Sequence, residues 1–194
     1  MDYKREERRI ILNRELSNLD DFALNFTRIV KKHARYVIIS GYVSILLGRT
    51  RTTEDIDMFI MPISKERFNE LYEDLIENGF WCLNSDNPEI AFDYLKSGLA
   101  IRFSIENMPI PNFEVKFPKD SLGLETFNDS IEVILPKGDL IISCLERHIA
   151  FKRYFLKSKK DLEDAGHIEE FFKEKLDYQK INKIKNLIES FEKP

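Results

Sequence analysis

The stretch from residue 37 to residue 60 constrains what this chain can be more than any other. A β-branched run, Val37-Ile38-Ile39, ends at Ser40-Gly41 and leads into apolar residues spaced for a helix through Leu47. A basic loop carrying Arg49 and Arg51 follows, and a second apolar strand then opens with Asp55-Ile56-Asp57. This order puts a small-residue turn at one end and two carboxylates at the other. Alternate side chains of a strand share a face, so Asp55 and Asp57 project together, about 7 Å apart at Cα, while Ile56 faces the core. Such a pair suits hard cations, because magnesium takes carboxylate and phosphate oxygens together. Gly41 lets a ligand approach the backbone, and amides at the start of the next helix can donate to phosphate oxygens. Arg49 and Arg51 are placed to neutralise a polyphosphate. With 34 acidic residues in 194, an acidic-apolar-acidic triplet arises by chance, so the weight falls on the combination.

The remaining composition narrows the class. A length of 194 residues allows one good core with a helical appendage. A net charge of -4 argues against wrapping nucleic acid over a broad basic surface. Cys82 and Cys144 lie far apart without CxxC spacing, so both read as reduced core residues. Residues 1–9 are mostly charged and no apolar run reaches about 18 residues, which predicts a cytoplasmic protein.

In chain order, residues 3–16 read as a short charged helix or arm. Ser17 or Asn18 caps a helix ending in Lys31-Lys32-His33. Residues 36–40 and 55–61 are strands, 64–77 a helix, 80–83 a short strand and 88–96 a short helix. Residues 99–105 and 113–117 form a hairpin around the proline-bearing turn 107–111, and 131–135 is the last strand. From Asp139 the pattern is helical: 140–156, 160–173 and 178–191. The expected organisation is therefore α+β, a mixed sheet flanked by helices over residues 1–138, with a helical subdomain over 139–194.

At these residues the chain resembles the nucleotidyltransferase superfamily with the polymerase-β-like palm. Its pattern is a small-residue turn, about nine to thirteen residues, then Asp-x-[Asp/Glu] in an apolar strand. Here Gly41-Tyr42 is followed by twelve residues and Asp55-Ile56-Asp57, with Tyr42 standing where the family has Gly or Ser. Reading the pair as Ser40-Gly41 keeps two small residues with thirteen between. The resemblance narrows to the minimal branch similar to type IV abortive-infection toxins and their prokaryotic relatives. Gly48-Arg49-Thr50-Arg51-Thr52-Thr53-Glu54-Asp55-Ile56-Asp57 and Lys160-Asp161-Leu162-Glu163-Asp164 carry it.

The resemblance implies a metal-dependent enzyme that moves a nucleoside monophosphate from an NTP to an acceptor hydroxyl and releases pyrophosphate. It implies Mg2+ or Mn2+ held by Asp55, Asp57 and a third carboxylate from a neighbouring strand. Glu114 is the choice, because it shares a face with Lys116 while Phe113, Val115 and Phe117 face the core; Glu106 and Glu132 are rivals. Ser40, Gly41, Tyr42, Arg49 and Arg51 are the expected nucleotide contacts, with Lys152 and Lys160 reaching a triphosphate or an acceptor. Glu146, His148, Asp161 and Asp164 are further polar candidates in the helical part, and Trp81 reads as core. The resemblance implies as partners an acceptor such as tRNA, a protein hydroxyl or a small molecule, and a cognate antitoxin. The alternative is a catalytically silent module of the same fold that binds nucleotide or a protein. Glycosyl transfer is disfavoured because too few residues precede the aspartates for a nucleotide-binding half-sheet. An aspartyl phosphatase is disfavoured because Met58-Phe59 follows Asp57.

Overall fold

A computed structural model describes residues 1–191. One nine-stranded mixed sheet runs through the molecule, in the order β1-β2-β8-β9-β3-β4-β7-β6-β5. The strands are β1 Asp2–Lys4, β2 Arg9–Ile11, β3 Tyr36–Ile38, β4 Asp55–Ile60, β5 Phe80–Cys82, β6 Ile101–Ile105, β7 Met108–Lys116, β8 Ile131–Leu135 and β9 Gly138–Ile142. The α-helices are α1 Asn18–His33, α2 Gly41–Leu46, α3 Lys65–Glu77, α4 Pro88–Lys96, α5 Ser121–Leu124, α6 Leu145–Ala150, α7 Lys159–Phe172 and α8 Tyr178–Phe191. Between α6 and α7 the chain takes one π-helical segment, Phe151–Leu156.

The two faces of the sheet follow from alternation along β4. Ile56, Met58 and Ile60 are buried against the α1 and α3 side, while Asp55, Asp57 and Phe59 are half-buried on the other. On the core side, Phe26 of α1 stacks on Phe113 of β7 with ring centroids 4.1 Å apart, and Phe22 stacks on the same ring at 5.3 Å. Such pairs add about 0.5–1.5 kcal/mol beyond the area they bury. α1 is fixed at its start by a capping box, the Ser17 hydroxyl accepting from the Asp20 amide and the Asp20 carboxylate accepting from the Ser17 amide.

Two stretches differ from their sequence patterns. Residues 3–16, expected as a helix or arm, form the antiparallel hairpin β1–β2, and β2 joins β8 in parallel with Ile10 opposite Val133. Buried Tyr3 and Ile10 alternate with more exposed neighbours, but three-residue strands are too short to display the period. Residues 140–142, expected to open a long helix, are strand β9, antiparallel to β8 and parallel to β3. Leu140 and Ile142 are fully buried there, so the sheet continues past residue 138 and helix begins only at Leu145. The 99–117 hairpin forms with its turn at Glu106-Asn107, and the prolines lie in the first half of β7. Cys82 and Cys144 are buried free thiols, and among the described residues no helix is long and apolar enough to cross a membrane.

Tyr42 ties α2 to α1. Its ring is fully buried, and its hydroxyl donates to Asp20 Oδ1 at 2.8 Å. Asp20 also accepts from Arg14 at 2.7 and 3.1 Å and from the Ser17 hydroxyl at 2.8 Å. Burial alone would raise the Asp20 carboxyl pKa, but the bonds from Arg14, Ser17 and Tyr42 outweigh it and hold the pKa below its ordinary value. A depressed folded pKa gives stability that is present above the unfolded value, near pH 4, and lost as pH falls through the folded one. Urea unfolding from pH 7 to pH 3 will therefore show Asp20→Asn less stable than wild type by about 2 kcal/mol at neutral pH, with the gap closing below about pH 4. Tyr42→Phe will cost about 1 kcal/mol.

Candidate active site

The loop and strand that carry the sequence motifs are placed by the sheet. β4 and β7 are parallel neighbours, with Asp55 opposite Asn112 and Asp57 opposite Glu114. The carboxylates of Asp57 and Glu114 thus leave the same face of adjacent strands. Between them sits the ammonium of Lys116, one pleat further along β7, at 3.1 Å from Asp57 Oδ1 and 3.0 Å from Glu114 Oε1. The other Glu114 oxygen accepts from Arg102 of β6 at 2.6 Å, a pair that follows from the register Arg102↔Glu114. Burial pushes Glu114 up, but Lys116 and then Arg102 bring it to a net value below the ordinary one. Burial pushes Lys116 down, but Asp57 and Glu114 raise it overall.

Asp55 is different. Its Oδ1 accepts from the Thr53 hydroxyl at 3.2 Å, and among the described residues it makes no ion pair. Among those residues, too, no three His, Cys, Asp or Glu side chains form a group arranged to hold a metal ion. Asp57 and Glu114 come together through Lys116, and both Glu114 oxygens are engaged by cations, one by Lys116 and one by Arg102. The donors still suit a divalent cation in kind. They are hard oxygens on one sheet face, and Asp57 and Glu114 already share one positive charge. Of the rival carboxylates, Glu106 lies exposed in the β6–β7 turn, and Glu132 on β8 pairs with Arg9 at 2.7 Å.

Next to Asp57 a cavity of about 240 Å³ opens between the sheet and the π-helical segment. Phe59 of β4 and Ile39 and Ser40, just past β3, line it on one side, and Phe151, Phe155 and Leu156 of the π segment on the other; Lys116, His148 and Lys152 also reach it. Ser40 has φ 62° and ψ -139°, a strained backbone for a residue with a side chain, and its hydroxyl caps nothing in α2. A Cβ at Gly41 would lie 2.9 Å from Arg51 Nη2, so glycine leaves room for that guanidinium against the turn. Tyr42, whose side chain is committed to the core and to Asp20, brings only its backbone to this turn. His148 is fully buried, with Nε2 2.9 Å from the Ser44 hydroxyl. Burial and then the nearby Lys152 charge push it down to about 3, so it is neutral at ordinary pH.

The two motif segments meet in space. Arg51 Nη1 donates to Asp164 Oδ2 at 2.5 Å, Arg49 Nε to Asp164 Oδ1 at 3.0 Å, and Arg49 Nη2 to Glu163 at 2.7 Å. Lys152 Nζ lies 2.8 Å from Asp161 Oδ1 and 2.9 Å from Asp164 Oδ2. Asp164 is fully buried and Lys152 nearly so. Arg49, Arg51 and Lys152, expected to face a polyphosphate, thus have carboxylate partners from α7, while Lys160 is exposed on the first turn of that helix. Glu146, another candidate, accepts from the Asp177 amide at 3.1 Å and belongs to the packing of α8. Trp81 is half-buried on edge strand β5, away from the cavity. The alternation along 113–117 put Lys116 on the same face as Glu114 but gave no sign of its bond to Asp57. Arg102 was missed as well, its only sign being the alternation of Ile101, Arg102 and Phe103.

No protein-family model matches the chain, and no curated protein does. Solved structures are similar. The solution structure of the antibiotic-resistance factor ANT(2'')-Ia is 14% identical with a TM-score of 0.53, covering 86% of this chain and 89% of that one. The crystal structure of ANT(2'')-Ia in complex with adenylyl-2''-tobramycin is 13% identical with a TM-score of 0.52, covering 86% and 94%. A nucleotidyltransferase-like protein from Paracoccidioides brasiliensis is 13% identical with a TM-score of 0.50, covering 85% and 84%. At such identities the likeness is one of fold: the chain has the α+β nucleotidyltransferase fold.

The charge cluster around Asp164 yields a stability test. Asp164→Asn removes the carboxylate shared by Arg49, Arg51 and Lys152 and leaves Lys152 buried with Asp161 alone, which will cost about 3–5 kcal/mol in urea unfolding. Asp161→Asn, nearer the surface and sharing Lys152 with Asp164, will cost less.

Proposed function

We propose that the chain is a metal-dependent nucleotidyltransferase, moving a nucleoside monophosphate from an NTP to an acceptor hydroxyl of an RNA end, a protein or a small molecule. The observation that carries the reading is Asp55 and Asp57 on one face of β4, in register with Glu114 on β7, beside a cavity that the strained Ser40 turn also lines. The shared fold of nucleotidyltransferases supports it.

In this reading residues 1–138 supply the carboxylates and the turn, and segment 139–194 supplies the second wall of the cavity. Asp55 and Asp57 would hold Mg2+ or Mn2+, with Glu114 as third ligand once Lys116 has moved. When bound, such a cation stabilises charge on the phosphoryl oxygens and on the leaving pyrophosphate. The acceptor oxygen forms its bond to the α-phosphorus as the bond to the bridging oxygen of pyrophosphate breaks, and the hydroxyl proton passes to a nearby carboxylate or to water. The Ser40-Gly41 turn presents backbone to the phosphates, and Phe151 and Phe155 offer apolar surface to a nucleobase. Membership of the toxin-like branch, with an antitoxin partner, is a finer proposal that rests on the Arg49-to-Asp57 and Lys160-to-Asp164 motifs alone.

One observation favours the alternative, a silent module of the same fold that binds nucleotide or protein: Lys116 and Arg102 already neutralise Glu114. Incubation with each labelled NTP, magnesium and total tRNA separates the two. Wild type will transfer label to RNA or protein, and Asp55→Ala or Asp57→Ala will lower the rate by roughly a thousandfold, the scale of several kcal/mol of transition-state stabilisation. Nucleotide binding without transfer by wild type would select the silent module.

A further inference from the structure

We propose that Lys116 is a built-in competitor for the divalent cation: its ammonium holds the position between Asp57 and Glu114, and a metal binds Asp57 there only by displacing it. The inference rests on the reading of Asp55 and Asp57 as metal ligands. Four features carry it.

The ammonium is almost equidistant from the two carboxylates, at 3.1 and 3.0 Å, and so bridges them as a shared cation does. The side chains of Lys116, Asp57 and Glu114 are only 25%, 20% and 17% exposed, so water screens the exchange of one cation for another only in part. Arg102 holds the far oxygen of Glu114 at 2.6 Å, which keeps the carboxylate in place and leaves the flexible lysine stem as the part that moves. The displaced ammonium also has a place to go, since Lys116 lines the cavity shared with Ser40. An anionic group bound in that cavity would draw Lys116 away and release Asp57, so that anion and cation bind more tightly together than apart. Asp55, without an ion-pair partner among the described residues, can take part in holding a cation without any such exchange.

Manganese alone, titrated into the full chain and followed by calorimetry or by the loss of the free-ion paramagnetic resonance signal, tests this without any turnover. Lys116→Met will bind manganese roughly tenfold tighter than wild type, whereas Lys116→Arg, which keeps the charge, will stay near wild type. Lys116→Gln serves beside the methionine variant, so that a folding defect in one does not decide the result. Neutral variants that bind no tighter, or an arginine variant that tightens as much as they do, would overturn the proposal. If wild type and the neutral variants bind equally and Asp57→Asn abolishes binding, the competitor fails while the metal site stands. If manganese binds none of them, both fail.

Discussion

A single buried carboxylate, Asp164, ties the loop ahead of β4 to two neighbouring segments near the other end of the chain. Arg49 and Arg51 come to it from the loop ahead of β4, Lys152 from the π-helical segment, and Asp164 itself from α7. Charge withdrawn from water costs several kcal/mol per ion, and only close, hydrogen-bonded partners offset that cost. Here the partners are 2.5, 2.9 and 3.0 Å away. Apolar packing is non-directional and would let the helical part settle on the sheet in several ways. A carboxylate with three cation partners admits far fewer. The arrangement holds the Arg49–Arg51 loop, and hence the entry to the Asp55–Asp57 strand, against α7. It also places the π segment as the far wall of the cavity beside Asp57.

The same contact explains what the sequence did and did not disclose. Both members of the Asp164 cluster were visible as motifs, Gly48-Arg49-x-Arg51 and Lys160-Asp161-x-x-Asp164, and both invited a reading as substrate contacts. Arg51 and Asp164 are 113 positions apart, and one sequence cannot say that a basic motif and an acidic motif answer each other. Local structure was easier to read. Strong helical periodicity and the caps Ser17 and Ser64 located α1 and α3 within a residue or two, since the backbone groups at helix ends need such partners wherever the helix packs, and the short helix at 88–96 is observed as α4. The N-terminal hairpin and β9 escaped because their short apolar runs fit either period, and tertiary pairing decided them.

On the acidic face, the register of three strands divides the carboxylates into two electrostatic kinds. Glu114 stands opposite Arg102 on one side and Asp57 on the other, so its charge is compensated by the sheet itself and by Lys116. Asp55 stands opposite Asn112, a neutral residue, and among the described residues its carboxylate has the Thr53 hydroxyl as its hydrogen-bond partner and no ion pair. The register of neighbouring strands thus gives Glu114 two cation partners within the sheet and gives Asp55 a neutral neighbour.

Two departures from ideal backbone flank the cavity beside Asp57. Ser40 takes a positive φ of 62°, and the π-helical segment interrupts what would otherwise be an α-helical turn between α6 and α7. Strain of about 1–3 kcal/mol at a non-glycine residue persists only where the surroundings enforce it. At Ser40 they do, because β3 must end beside Asp57 while α2 turns back so that Tyr42 reaches Asp20 and Gly41 lies under Arg51. A π segment widens the helix, and here it turns Phe151, Lys152, Phe155 and Leu156 toward one cavity. A sheet and helix packed for stability alone would close that space with apolar side chains. The backbone instead meets the cost of an unusual conformation on both sides of the opening.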